Sequence, residues 1–396
     1  MSREVWLIAL VQLINRSGMM VLPFLTLYLT KDLDWSLSMA AIAGTSFGLG
    51  GLVSAMIGGF LVDRYPIFKI MLMSLFGGGL CFIVLTWING FISFVIWIFI
   101  TTTIADVLRP AAMGAITEFS NEKNLARGIS LLRMAINLGF SIGPFIAGFL
   151  IVSIGYKFIF IVDGVTCILA GFLLYYFFKD KLSLHLNKSN TEIKSKLIEK
   201  SAPPFLDYTF MLFLFFNMIM LIMFFQLFYT IPLFFTEVYL LTEKDIGYFF
   251  MMNGFLIFLL EMPIIYYMEK KNLAYKPMVW GAFLIGISFL FLIFGTPQIW
   301  LTIILFNLII SIGEIINFPF ISTISIIRAK EDNKGAYIGF MTTMFSIAFV
   351  LAPLVFMPFI ETIGFKFVWI ICFVVSIISA IALSLLKPSF EKTYKS

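Results

Sequence analysis

Charged residues are scarce in this chain, and their scarcity excludes most classes of soluble protein. Asp, Glu, Lys and Arg together make up 12% of the 396 residues, whereas soluble domains carry about 25%. Hydrophobic residues make up 61%, against roughly 45–50% in soluble domains. The composition therefore excludes a soluble enzyme, a nucleic-acid-binding protein and a disordered chain, and it predicts a protein embedded in lipid.

Histidine and cysteine are also rare, and this limits the chemistry that the chain can support. The single histidine, His185, argues against a histidine-based metal site or catalytic triad. Each of the three cysteines lies inside an apolar run, so we expect small core residues rather than disulfides or metal ligands. The nucleotide-binding pattern G-x-x-x-x-G-K-[ST] does not occur in the sequence, which argues against ATP as an energy source. We expect neither a metal nor a cofactor.

Long apolar runs, by contrast, recur along the whole chain. A helix that crosses the hydrocarbon core of a bilayer needs about 20 residues. Twelve runs meet this requirement: 5–30, 39–62, 69–87, 92–117, 128–154, 158–178, 208–236, 246–267, 277–295, 299–327, 336–362 and 367–386. We therefore predict an all-α membrane protein with a six-helix bundle at 1–178, a polar cytoplasmic linker at 179–207 and a second six-helix bundle at 208–396.

The distribution of basic residues predicts the orientation of these helices. Lys and Arg accumulate in the cytoplasmic loops of membrane proteins. If both termini face the cytoplasm, the cytoplasmic segments hold 20 of the 27 basic residues and the outer loops hold four. This bias predicts that the N-terminus and the C-terminus both lie inside. The net charge of +5 is then a signal of topology.

The two halves of the chain share a pattern at a constant offset of 209 residues. The matched features are Pro23 with Pro232, Pro110 with Pro319, Pro144 with Pro353, and SIGYKFIF at 153–160 with TIGFKFVW at 362–369. The halves therefore run parallel, and each span of the first half matches a span of the second. Transporters built from parallel halves place their substrate near the bilayer midplane, between the halves. The same prolines also kink their helices.

Two short motifs point to a family. The chain reads GFLVDR at 59–64, followed by Lys69, and GFSIGPFIAG at 139–148. These strings are similar to the loop pattern G-x-L-a-D-R-x-G-R-K and to the span-5 pattern G-x-x-x-G-P-x-x-G-G. With its length, span count, central linker and repeat, the sequence resembles the major facilitator superfamily, in particular its twelve-span drug:proton antiporter branch. It departs from the family patterns at Pro66 and Ala147, where glycine is usual.

The resemblance implies the major facilitator fold and a gating role for both motifs. Asp63 and Arg64 would pair across a cytoplasmic gate, with a solvated turn as the alternative. Gly143 lets helices approach closely and Pro144 bends its helix, and this packing role is compatible with movement between states.

Seven ionisable residues lie deep within the predicted spans. They are Arg16, Asp106, Arg109, Arg133, Asp163, Glu261 and Glu314. A charge near the centre of a spanning helix costs roughly 2.5–3.5 kcal/mol on insertion scales, so these residues should pair, become protonated or line water. Glu261 and Arg133 are candidates for gating, although Arg133 can instead snorkel to the cytoplasm. We expect Asp163 at a helix end or an outer gate.

Asp106, Arg109 and Glu314 are the candidates for proton coupling. Asp106 and Arg109 are three residues apart on one helix, so the base can pair with the acid and tune it. A static structural pair is the alternative. Arg109 also stands where the resemblance places an arginine in span 4. Glu314 is the acid at the centre of the second half, where it can titrate or attract a cation.

Four residues are candidates for contact with a substrate: Arg16, Glu314, Gln226 and Tyr229. Arg16 lies roughly 16 Å into the first span at about 1.5 Å per residue, which is the depth expected of a cavity. It can hold an anionic group or pair with an acid from another span. Gln226 and Tyr229 lie in the seventh span, whose aromatic and methionine residues would form a soft lining for amphiphilic ligands.

These features predict a secondary transporter that works by alternating access and uses a proton gradient. We expect it to export small amphiphilic compounds, as a multidrug efflux antiporter does, and to be a multi-pass monomer in a bacterial plasma membrane. Its expected partners are a small-molecule substrate, protons and lipid. One alternative is proton-coupled uptake of an anionic nutrient, peptide or siderophore, which the arginines of the first half favour. More distant alternatives are a lipid flippase and a membrane receptor.

Overall fold

The computed structural model describes residues 1–120, 122–182, 203–271, 274–330 and 333–395, and all regular elements among them are helices. Their bounds are α1 Arg3–Ser17, α2 Val21–Leu27, α3 Leu37–Arg64, α4 Ile67–Leu85, α5 Phe91–Ala105, α6 Leu108–Glu118, α7 Glu122–Ile154, α8 Lys157–Phe178, α9 Tyr208–Phe224, α10 Gln226–Glu237, α11 Glu243–Lys270, α12 Tyr275–Phe294, α13 Ile299–Arg328 and α14 Lys334–Lys395. Most of the predicted linker, including His185, lies outside the described residues.

The described residues contain eleven helical segments that are long and apolar enough to cross a membrane. Each of the first ten coincides with one predicted span, and three of these segments are built from two consecutive helices: α1 with α2, α5 with α6, and α9 with α10. The last two predicted spans fall together in one segment of 57 residues, Lys334–Phe390. The chain is therefore an all-helical, multi-pass membrane protein.

The long helix α14 is interrupted at Gly364, whose backbone is not helical (φ 75°, ψ 162°). Its counterpart in the repeat, Gly155, ends α7 and also has a positive φ, of 99°. Only glycine visits this backbone region readily, because it has no Cβ. The repeat at an offset of 209 residues thus extends from the sequence to the backbone conformation of these two glycines.

The described residues form two compact units by their contacts. The first takes in residues within 1–194 together with 232–255, and the second takes in residues within 195–231 together with 256–396. Helix α11 contributes to both units. The domain boundaries inferred from the sequence remain a prediction, since the polar linker lies largely outside the described part of the chain.

The core of the first unit lies between α1, α4, α6 and α8. Small side chains on α6, such as Ala111 and Ala115, are fully buried there, so that the neighbouring helices approach closely. At one end of this core the ring of Phe68 stacks on that of Phe178, with centroids 4.3 Å apart. The packing fixes the positions of α1 and α8, which carry two of the buried charges.

The core of the second unit forms where α9, α12, α13 and α14 pack together. Trp369 is fully buried and stacks on Phe289, with ring centroids 5.9 Å apart. Helices α12 and α13 approach closely at Gly281, because a Cβ there would stand 2.6 Å from the carbonyl oxygen of Gly313. Beside this contact Asn317 donates a hydrogen bond to the carbonyl of Met278 (2.7 Å).

The cysteines bear out their prediction as small core residues. Cys167 and Cys372 are buried, Cys81 is half-buried, and all three are free thiols.

Candidate functional site

The first span is broken between α1 and α2, and the break lies beside a buried arginine. Arg16 occupies the last turn of α1 and is 7% exposed. The chain leaves the helix at Gly18, where the side chain of Thr166 from α8 stands in the space that a Cβ would need. Glycine at this position therefore lets α8 approach closely, and the end of α1 places Arg16 in its last turn.

Asp163 on α8 lies beside the second half of this broken span. Its carboxylate lies close to the backbone N–H groups of Met20 and Val21, at the start of α2, and the residue is 5% exposed. Met20 provides no side-chain cap of its own. An acid at a helix N-terminus satisfies free N–H groups and opposes the helix dipole. Asp163 itself lies within α8, and the expectation of a helix end or an outer gate stays a prediction.

The fourth span is also broken, and its break carries Asp106. Helix α5 ends at Ala105 and α6 begins at Leu108. Pro110 explains the interruption, because its ring clashes with the carbonyl four residues earlier, which is that of Asp106. That carbonyl instead accepts a hydrogen bond from the N–H of Arg109 (3.0 Å). The carboxyl group of Asp106 consequently projects from a turn.

Charged side chains at the two breaks lie within ion-pair distance of each other. Asp106 Oδ1 lies 3.3 Å from Nε of Arg109 and 3.8 Å from Nη2 of Arg16. The first distance confirms the pair that the three-residue spacing predicted. The second joins side chains from different spans and resolves which acid Arg16 approaches. Arg16 Nη1 also contacts the sulfur of Met19 (3.2 Å), whereas its Nε has no hydrogen-bond partner among the described residues.

Arg16 and Asp106, together with Asp163, line a cavity of about 40 Å³ inside the first unit. Its polar lining consists of Asn15, Arg16, Thr102, Asp106, Asp163 and Cys167. Such a volume holds one or two water molecules, each of which needs about 30 Å³ in the liquid. Organic ligands need pockets of roughly 300–1,000 Å³. The cavity thus suits protons and water, and it brings two acids and a buried base together.

The glycines of the span-5 motif pack against the broken part of the first span. A Cβ at Gly143 would lie 3.1 Å from the carbonyl oxygen of Ser17 and 3.2 Å from that of Met19. A Cβ at Gly139 would lie 2.7 Å from Cβ of Arg16. Pro144 lies within the continuous helix α7. The motif therefore lets α7 approach the backbone that holds Arg16, and a functional role beyond this packing stays a prediction.

A further network in the first unit centres on Glu243, which sequence reasoning did not single out. Its Oε1 accepts hydrogen bonds from the hydroxyl of Tyr156 (2.6 Å) and from Nζ of Lys31 (3.2 Å). Gly148 of α7 lies against the backbone of Glu243, because a Cβ there would meet its carbonyl oxygen. Three segments distant in sequence meet here, so no local pattern could have revealed the contact.

Arg64, Asp63 and Arg133 are the other residues of the first half that were predicted to act in gating. The guanidinium of Arg64 lies over the ring of Phe60, 4.0 Å from its centroid, and is exposed. The side chain of Asp63 lies outside the described part of the structure. Arg133 is half-buried on α7 and has an interaction partner.

The acids Glu261 and Glu314 belong to the second unit. Glu261 on α11 is 6% exposed and Glu314 on α13 is half-buried, and both have interaction partners. The helices that carry them pack together through Ile257, Ile315 and Ile316. The Arg16–Asp106–Arg109 cluster lies in the first unit, so the structure divides the predicted site residues between two separate groups.

Gln226 and Tyr229 lie at the start of α10, just after the break in the seventh span between α9 and α10. Gln226 donates hydrogen bonds to the carbonyls of Ile222 (2.9 Å) and Ala352 (3.0 Å) and accepts one from Thr230 (2.6 Å). These bonds satisfy a helix end and favour a structural role for Gln226. Tyr229 is 1% exposed, and its hydroxyl has no hydrogen-bond partner among the described residues.

Comparison with known proteins places this architecture among membrane transporters. A family model described as Major Facilitator Superfamily matches residues 5–277 and 262–396. The chain is 24% identical over 335 residues to YqjV of Bacillus subtilis, named an uncharacterized MFS-type transporter, and the match covers 81% of this chain and 77% of the relative.

Two solved structures share the fold at low sequence identity. One is a POT family transporter in complex with a thioalcohol-conjugated peptide, with TM-score 0.80, 15% identity and coverage of 98% of this chain and 96% of that one. The other is a D-xylose–proton symporter, with TM-score 0.76, 13% identity and 96% of both chains covered.

Proposed function

The chain belongs to the Major Facilitator Superfamily, and we propose on this premise that it is a proton-coupled secondary active transporter of a small solute. It works by alternating access and needs no cofactor besides the proton gradient. Its twelve crossings include two in α14, one on each side of Gly364, and both termini face the cytoplasm of a bacterial cell. The transporter is a monomer in the plasma membrane.

The observation that carries the proposal is the position of Asp106 between two arginines. The carboxylate lies within ion-pair distance of Arg16 and Arg109 and lines a cavity of about 40 Å³. A proton reaching Asp106 neutralises the charge that holds both guanidiniums. Arg16 and Asp106 belong to two different interrupted spans. The loss of this attraction therefore weakens the contact between the first span and the fourth. Proton binding is thereby linked to a change in helix position.

Export of small amphiphilic compounds is the direction that we propose. It is supported by the span-5 motif, whose glycines adjoin the break that holds Arg16. Uptake by proton symport is the second candidate. It is supported by the three arginines in the spans of the first half, which favour an anionic substrate, and by the fold shared with a peptide-bound POT transporter and a D-xylose–proton symporter.

Proteoliposomes with an imposed pH gradient test the proposal and separate the two directions. Ethidium serves as the amphiphilic probe and dialanine as the zwitterionic one. Accumulation of ethidium driven by an acidic lumen indicates antiport, whereas accumulation of dialanine driven by an acidic exterior indicates symport. Collapse of the gradient with an uncoupler should abolish either signal. Transport that persists at full rate without a gradient contradicts proton coupling.

The variants Asp106→Asn and Glu314→Gln identify the acid involved. We expect Asp106→Asn to lose gradient-driven accumulation by at least tenfold while exchange of solute across the membrane continues. Asp34→Asn is the matched control, since Asp34 is exposed and its φ of 51° is one that asparagine tolerates. If Glu314→Gln alone removes coupling and Asp106→Asn retains it, the cluster in the first unit is not the proton site.

A further inference from the structure

A second and larger pocket lies at the ends of α1 and α8, remote from the charged cavity. Its volume is about 400 Å³. It is lined by Arg3, Glu4, Leu7, Tyr176, Phe177, Phe178, Lys179 and Lys181. Three of these side chains are basic and one is acidic, so the lining carries a net charge of +2. The mechanism proposed above uses none of them.

The acidic residue and one of the basic residues neutralise each other. Lys181 donates a hydrogen bond to Oε1 of Glu4 (2.6 Å) and lies over the ring of Phe119, 4.8 Å from its centroid. Ser2 anchors the same corner, because its hydroxyl donates to the carbonyl of Phe119 (2.9 Å). The frame of the pocket is therefore held by contacts within the first unit.

Arg3 and Lys179 are the other two basic residues of the pocket lining. Both are exposed, and neither forms an ion pair with any residue that the structure describes. Asp180, the neighbour of Lys179, is exposed but does not line the pocket. Two cations that open into one pocket recruit an anion, and an arginine matches the geometry of a phosphate particularly well.

Exposed aromatic side chains near this pocket are typical of the level of lipid headgroups. Trp6 is 56% exposed and Tyr176 is 72% exposed, and both stand near the same end of the first unit. Tryptophan and tyrosine favour the interface between membrane and water because their rings are amphipathic. The pocket thus opens where phospholipid phosphates are found.

An exposed apolar stripe on α8 leads away from the pocket along the helix. Its members follow helical spacing: Val165, Leu169, Phe172 and Tyr176, each at least 42% exposed. A stripe that begins at a basic pocket matches a lipid, whose charged headgroup continues into acyl chains. A free inorganic anion has no apolar part that could contact the stripe.

We propose that this pocket binds the phosphate headgroup of an anionic phospholipid, with Arg3 and Lys179 as its ligands and the stripe on α8 as the surface for an acyl chain. Basic pockets between spanning helices are suited to anionic headgroups. The site is separate from the transport function proposed above, so either can fail without the other.

Native mass spectrometry of the full-length protein tests the site with two lipids of identical acyl chains. Dioleoyl phosphatidylglycerol should bind more tightly than dioleoyl phosphatidylcholine. The double variant Arg3→Gln, Lys179→Gln should bind phosphatidylglycerol roughly 25-fold more weakly, because each basic residue near an anionic surface contributes about 1 kcal/mol, or about fivefold. Binding of phosphatidylcholine should not change. If the double variant expresses poorly, Lys179→Gln alone should show the fivefold loss.

The control variant Lys270→Gln, Lys276→Gln removes the same charge from exposed positions of the second unit. It should leave the affinity for phosphatidylglycerol unchanged, and an equal loss in the control overturns the site. Unchanged affinity in the double variant overturns it as well. Displacement of phosphatidylglycerol by millimolar inorganic phosphate would assign the pocket to a free anion instead of a lipid.

Discussion

Asp106, which is half-buried, and Asp163, which is buried, line the same small cavity of the first unit but lie beside different groups. Asp106 lies beside two guanidinium groups, whereas Asp163 lies close to the backbone N–H groups at the start of α2. A carboxylate that is held by fixed N–H donors stabilises the fold, and one that is balanced between two movable side chains can change partners. This difference supports the proposal that Asp106 carries the coupling, and it predicts that Asp163 supports the broken span.

Substitutions of Asp163 test this division of roles. Asp163→Ala removes the acid beside the start of α2, which should cost about 0.5–2 kcal/mol of unfolding free energy. Asp163→Asn keeps an oxygen acceptor and should lose less than half of that amount. Thermal unfolding of the purified variants, followed by intrinsic fluorescence, provides the measurement. Equal losses in the two variants would show that the charge, rather than the oxygen acceptor, is what α2 requires.

Asp207 is a second residue whose importance depends on distant partners. It caps α9 by accepting the N–H of Phe210 (3.1 Å), and its two oxygens accept hydrogen bonds from Arg328 (2.8 and 3.0 Å). Tyr337 donates a further bond (3.1 Å). Burial acts to raise the pKa of Asp207, but the hydrogen bonds from Arg328 and the other donors outweigh it and lower the pKa below its usual value.

The lowered pKa of Asp207 predicts a dependence of stability on pH. Since the folded state holds the carboxylate ionised, its contribution is fully present above the usual carboxyl pKa of about 4 and is lost as the pH falls through the lower folded value. Asp207→Asn should cost about 2 kcal/mol at pH 7 and should flatten the acid limb of a plot of unfolding midpoint against pH. An acid limb of unchanged slope in the variant would assign the dependence to other groups.

At the scale of the helices, interruptions decide the architecture. The breaks in the first and fourth spans bring Arg16 and Asp106 to helix ends, and Gly364 divides α14. Pro110 and Gly364 are visible in the sequence, and their chemistry explains the position of each interruption. The requirement for glycine at position 18 is harder to foresee, because it comes from the side chain of Thr166 in another helix.

Alanine substitutions at the two repeat glycines test the backbone argument. Gly364→Ala places a Cβ in a region of positive φ that side chains avoid, and it should cost about 1–3 kcal/mol. Gly155→Ala should cost a similar amount because its φ is also positive. Gly339→Ala is the matched control within α14, where a Cβ meets open space, and it should be neutral or stabilising by up to about 1 kcal/mol. Thermal unfolding ranks the three variants, and a destabilised control would refute the explanation from φ.

At the scale of the whole molecule, the question is how many times the chain crosses the bilayer. The segment Lys334–Phe390 holds 57 residues, whereas a spanning helix needs about 20. Two crossings separated at Gly364 place its neighbour Lys366 on the outer face. The predicted inside position of both termini requires this even number of crossings.

Labelling of introduced cysteines tests the topology in whole cells. In a variant without the three native cysteines, Lys366→Cys should react with a membrane-impermeant maleimide. Lys330→Cys and Lys387→Cys should react only after the cells are opened, because both positions lie inside in the twelve-span arrangement. A single crossing by α14 would instead place Lys330 and Lys387 on opposite faces, so labelling of only one of the two in intact cells excludes the predicted count.

The sequence by itself determined the membrane class, ten of the spans, the internal repeat and the Asp106–Arg109 pair. Each of these follows from hydropathy or from spacing within one helix, which are local properties of the chain. Only the tertiary structure decided that Arg16 approaches Asp106, that Asp163 lies beside the start of α2, and that Asp207 binds Arg328. The low dielectric of a bilayer requires every buried charge to find a partner, but many partners satisfy that requirement equally. The packing of helices that are distant in sequence selects the partner.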